Sequence, residues 1–304
     1  MIVRRWLLAM AALTLLAGCG PEVVNPGPLE VGDPGPEELR QQARAALDRY
    51  DQAVRRAGDG PRFVPVGRLD KQFGDWEAGN EQNKSALLAG LVSLAAELPA
   101  LPRPAGVVVW ADGTRLTVPL AAAGASLSGY RVDGSPDCDG CTPLRVTGAK
   151  LGTLAVDTTR GPATVPAWEF TLAGTSVRLA RVAVDPSVLV QVSPPVWDAR
   201  SAGSLRVEAA VTRRGSRSLT VSFTGSRATG DEPCGMDYTA EAVESDSAVV
   251  VIVYSHPYPS PLPEGQGCLA IGAERSAAVE LGRELGERAV LDAQQGLPVR
   301  LLVN

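Results

Sequence analysis

Histidine is nearly absent from this 304-residue chain, in which His256 stands alone. A Ser-His-Asp or Cys-His nucleophile system would have to use that residue, yet it directly precedes Pro257 and no Gly-x-Ser-x-Gly elbow occurs. Residues 124–129 come nearest, with Ser128 where the motif needs glycine. Lysine is also scarce, confined to Lys71, Lys84 and Lys150, while alanine, glycine, valine and arginine are used heavily, the imprint of GC-rich codons. The formal charge of −5 is offset by no basic stripe, which argues against a nucleic-acid partner. No apolar run reaches the roughly 20 residues of a membrane-spanning helix, and no fixed-period repeat relates one half of the chain to the other.

What is present is most specific at the start. Residues 1–18 open with Arg4 and Arg5, continue without charge from Trp6 to Leu16, and close on small residues before Cys19, the layout of a signal peptide. Leu16-Ala17-Gly18-Cys19 resembles the lipobox of bacterial lipoproteins. By that resemblance Cys19 is lipidated, palmitate included, and becomes the mature N-terminus on the extracytoplasmic face of the cell membrane. More than one acyl chain is what makes such an anchor stable, since each buried methylene contributes about 0.8 kcal/mol and a single chain holds only reversibly. Loss of Arg4 and Arg5 with the signal peptide takes the charge from −5 to −7. Residues 19–36 carry prolines at 21, 26, 28, 34 and 36 with glycines between them, and read as an extended tether that spans up to about 50 Å at about 3.1 Å per residue.

The remainder is 45% hydrophobic and 21% charged, ordinary for a globular body and long enough for two domains. Pro36, Glu37 and Glu38 suit a helix start, and Leu39, Ala43, Ala46, Leu47, Tyr50 and Val54 recur at helical spacing until residues 58–61 stop the run. A second helix is expected from about residue 80 through Ala86, Leu87, Gly90, Leu91, Leu94 and Leu98. From residue 107 the period becomes that of strands: a hairpin turns at Asp112-Gly113, and further strands are expected over 144–146, 151–158, 163–172 and 177–184. Pro194-Pro195 and residues 199–204 mark a boundary. Beyond it about seven short strands, between residues 205 and 303, have the pattern of a sandwich. The expected fold class is therefore α+β: an α+β domain over 37–195, with N-terminal helices and a β-rich part, followed by an all-β, sandwich-like domain over 203–304.

Residues 74–77 with Asn83-Lys84, 146–149, 160–163 and 165–170 (Val-Pro-Ala-Trp-Glu-Phe) resemble uncharacterised lipoproteins of high-GC Gram-positive bacteria. The likeness covers most of the mature chain and implies no particular chemistry.

Four cysteines remain after Cys19. In an exported protein they suggest disulfides, and spacing favours Cys138 with Cys141 and Cys234 with Cys268 among three possible connectivities. A redox role for the first pair is opposed by Asp133, Asp137 and Asp139, which disfavour the thiolate. These aspartates lack EF-hand order, and a zinc site wants four ligands, so neither metal nor cofactor is expected. Trp76, Trp110 and Trp168 could line a groove but read better as packing. Proline at alternate positions over 256–263 makes that segment a stiff surface loop, in which His256, Tyr258 and Leu262 form a possible partner-binding surface. The functional expectation is a lipid-anchored, non-enzymatic binding or scaffolding protein of the cell envelope whose partner is an envelope protein or polymer. The alternative is an envelope hydrolase with paired carboxylates, which leaves no sequence signature.

Overall fold

The computed structural model describes residues 35–77, 81–130, 138, 140–195, 204–260, 267–269 and 271–304. The signal peptide, Cys19, the tether up to residue 34 and Leu262 lie outside the described residues. Strand makes up 44% and helix 14%, so the body is mostly β.

Helix α1 (Pro36–Arg56) forms where its spacing predicts, with proline and two acids in the first turn and Arg55 and Arg56 in the last, both favourable to the helix dipole. Leu39, Ala43, Ala46, Leu47, Tyr50 and Ala53 make its buried stripe. The second helix is shorter than expected: α2 (Glu81–Leu88) stops at Gly90, whose φ of 65° is left-handed. Residues beyond it enter a sheet, and Leu94, assigned above to the helix face, is 53% exposed. Apolar spacing alone cannot register that stop.

The first sheet has eight strands: β1 (Pro65–Val66), β2 (Asp70–Phe73), β3 (Val92–Leu94), β4 (Ala105–Trp110), β5 (Arg115–Pro119), β6 (Leu144–Thr158), β7 (Gly161–Leu172) and β8 (Arg178–Val182). Its axis is the antiparallel β6–β7 hairpin, which joins two segments expected separately into one 15-residue strand. Pro166 in β7 is tolerated because the strand changes neighbour there, pairing with β4 at Ala163 and Thr164 and with β8 from Ala167 onward. Its carbonyl accepts from Ala183 N–H at 2.8 Å, so the missing N–H faces the fork between those neighbours. The short helix α3 (Ala123–Ser128) occupies the segment that came nearest to a nucleophile elbow.

The second half contains β9 (Val207–Thr212), β10 (Ser218–Ser226), β11 (Met236–Glu244), β12 (Ala248–Pro257), β13 (Gly272–Glu280), β14 (Ala289–Asp292) and β15 (Arg300–Val303). They form a four-stranded sheet ordered β13-β10-β9-β15 and a three-stranded sheet ordered β11-β12-β14. Val221 and Phe223 of the first share a core with Val249, Val251 and Val253 of the second. On the opposite face of β12, Val250 and Ile252 pack against α1. The helix placed by sequence with residues 37–195 is thus built onto the sheet of the later half, because β12 is apolar on both faces and needs a second cover.

Arg40 Nε and Nη2 donate to Glu241 at 2.7 and 2.9 Å, and Tyr254 Oη donates to the same carboxylate at 2.9 Å. Asp51 is hydrogen-bonded to Ser247. These contacts run α1 antiparallel to β12, with the helix N-terminus toward Tyr254. The Arg40 hydrogen bond, set against burial, holds Glu241 below its ordinary 4.5. A depressed carboxylate contributes stability above its unfolded value and loses it as pH falls through the folded one. Hydrogen-exchange protection of α1 should therefore fall below pH 4.5 before that of β6 and β7, and Glu241→Gln should remove the pH dependence.

Candidate functional site

At the end of the later half where β10 finishes and β13 begins, an apolar groove of about 590 Å³ opens between the two sheets. Its volume lies in the range of small-molecule sites. Met236 and Tyr238 from β11, with Leu205, form much of its wall. Tyr238 meets the buried Phe223 ring edge-on at 5.0 Å and accepts a hydrogen bond from Ser226 N–H at 2.6 Å. The groove is thereby seated on the end of the shared core. Gly225 sits under Tyr238, where a Cβ would come within 2.7 Å of the phenol oxygen.

The opposite lip is tied by covalent and backbone bonds. Cys234 is joined to Cys268 with their Cα atoms 5.5 Å apart, and Cys234 takes a left-handed φ of 64°, a costly choice for a residue with a side chain. Tyr258 N–H donates to Gly235 O at 3.0 Å, fastening the end of β12 to the same turn. Past Cys268, Leu269 is 81% and Ile271 48% exposed at the rim. None of the lining residues carries a formal charge at neutral pH. Apolar side chains left in water at the mouth of an apolar groove are costly unless something covers them.

The two halves of the proline-rich segment are placed differently. His256 and Pro257, expected in a loop, are the last residues of β12, paired with Asp237 and Met236. Proline fits there because β14 pairs only with residues 248–251, leaving the rest of β12 an edge on that side. Strand alternation turns Ser255 and Pro257 into the groove and His256 away from it, where Nε2 lies 2.7 Å from Thr239 Oγ1. Tyr258 lines the groove. Cys138 and Cys141 form the second disulfide, remote in sequence from this site, with Cα atoms 5.4 Å apart.

Trp110 and Trp168 are core residues whose indole N–H groups donate to Thr158 Oγ1 and Ala121 O, both at 2.9 Å. Trp76 packs half-buried against the same core as Trp168. A second groove, of about 380 Å³, lies at the β7 fork beside Pro166 and Gly106, with Arg103 and Arg115 at its edge. Neither groove is lined by an aspartate or glutamate, so neither offers the convergent carboxylates of a hydrolase. Among the described residues no group of three His, Cys, Asp or Glu side chains could hold a metal ion.

Met236, Leu269 and Ile271 were not singled out by sequence. The available signal was two aliphatic residues between Cys268 and Gly272, in a stretch otherwise rich in glycine and proline. No family model, curated protein or solved structure matches the chain, so the chemistry of the site is argued from its own residues.

Proposed function

We propose that this chain is a lipid-anchored extracytoplasmic protein, held to the cell membrane through Cys19, that binds an envelope component without catalysing a reaction. Its body is read as N-terminal helices with a β-rich domain, followed by a sandwich-like domain that carries the binding site. The observation behind this reading is the uncharged groove beside the Cys234–Cys268 bridge, with Leu269 and Ile271 exposed at its rim. Binding needs a shaped, stiffened surface, and the bridge lowers the entropy lost when a partner orders that lip.

Cys19→Ala is expected to abolish lipid incorporation and to move the protein out of the lipid-anchored pool, read by labelling with a tagged fatty acid and by membrane fractionation. Continued labelling of the variant would refute the anchor. The binding half is tested in intact cells with a photo-crosslinking residue at position 258. Envelope adducts should form there and not from position 217, which adjoins Leu281 at the far ends of β10 and β13. Equal yields from both positions would refute the groove as the binding site.

A further inference from the structure

We propose that the groove takes an acyl chain of a bilayer phospholipid, an inference that rests on the binding role proposed above and names its ligand class. Three observations converge on it. The lining combines leucine, isoleucine, methionine, tyrosine, proline and the disulfide with small hydroxyl residues and glycine, and it presents no charged side chain to an occupant. A hydrocarbon chain is the ligand that loses nothing by entering such a lining, whereas a charged peptide or a sugar would leave its polar groups unpaired.

The second observation is the rim. Leu269 is the most exposed large aliphatic side chain among the described residues, and Ile271 stands two positions on. Together they continue the apolar surface from the groove wall into solvent, a path along which a chain can leave a bilayer without crossing water.

The third is where the chain enters the body. Arg40 at Glu241 and Asp51 at Ser247 orient α1 so that its first residue lies toward the Tyr254 end of β12. Ser255, Pro257 and Tyr258, which continue β12 at that end, line the groove. Cys19 is only 16 residues before Gly35, a contour of at most about 50 Å. An anchor there keeps the groove end of the body within reach of the membrane, so the nearest abundant apolar ligand is the bilayer itself.

The test uses the mature lipidated protein and vesicles of phosphatidylethanolamine and phosphatidylglycerol with a diazirine in the middle of one acyl chain. After irradiation, adducts are expected on Met236, Tyr238 and Leu205. Ser255→Trp, which fills the groove from an exposed lip position, should lower that yield about tenfold, as should Ile271→Asp at the rim, with thermal unfolding unchanged. Adducts confined to Leu269, Ile271 or residues 20–35 would make the contact one of surface proximity and overturn the inference, as would a yield indifferent to Ser255→Trp. A photoreactive free fatty acid that labels the groove while the phospholipid does not would overturn the bilayer as source. Vesicle flotation in parallel reads the anchor alone: protein that labels in the groove but fails to float removes the Cys19 assignment and leaves the acyl-chain site standing.

Discussion

A Gly235→Ala protein is expected to lose about 3 kcal/mol of stability and, with it, the shape of the groove. The position has an ordinary negative φ, so backbone preference is not the reason. A Cβ there would collide with the carbonyl oxygen of Thr229 and lie 2.9 Å from that of Glu232, both backbone atoms of the same turn, which no side-chain rotation can relieve. The turn is closed by Gly235 N–H to Glu232 O at 2.9 Å and Met236 N–H to Ala228 O at 3.1 Å, and it must rebuild to admit the methyl group. Because Gly235 O also receives Tyr258 N–H, the shift propagates to the opposite lip. Gly60→Ala, at a glycine with open space around it, is the control and should stay within about 0.5 kcal/mol of the parent. Equal denaturation midpoints for the two variants would contradict the expected collision.

Converting both Cys234 and Cys268 to serine is expected to cost roughly 3–4 kcal/mol, close to 10 °C in melting temperature. The bridge spans a sequence separation of 34, against 3 for Cys138–Cys141, and the entropy removed from the unfolded chain grows with the length of the loop closed. The shorter bridge should therefore matter less, with a loss nearer 2 kcal/mol. Differential scanning calorimetry of the two double-serine proteins gives the ordering directly, and a larger loss from the Cys138–Cys141 pair would reverse it. Peptide mapping of the non-reduced parent should recover residues 234 and 268 in one disulfide-linked fragment.

How much of this could be read beforehand depended on whether the signal was local. α1 was legible because its stripe repeats at 3.6 residues and its first turn carries proline and acids. The hairpin of β4 and β5 was legible because Asp112-Gly113 is a turn dipeptide, and Gly113 adopts a φ of 84°. The disulfide pairing followed from spacing. The end of α2 was not legible, since Leu91 and Leu94 continue a helical pattern while the chain has already turned at Gly90 and Val92 pairs with Leu144. Nor could the cover of β12 be read. Its unbroken Val-Val-Val-Ile-Val run implies burial on both faces, but which element supplies the second face depends on packing across some 200 residues. The groove itself is assembled from the ends of four strands and two turns, each uninformative alone, and of its lining only Tyr258 and the two bridge cysteines were named in advance.

The docking of α1 on β12 also sets a timetable. A chain is made and exported from its N-terminus, and the surface that covers Leu39, Ala46 and Tyr50 is completed only when β14, ending at Asp292, has joined β12. At about 5–20 residues per second that is on the order of tens of seconds after the helix itself has emerged. Throughout that interval the earliest helix of the body is an amphipathic segment without its partner. It is exposed to proteases and chaperones at the moment when residues next to it are processed, and it becomes the last major element to find its place, although it is the first to be made.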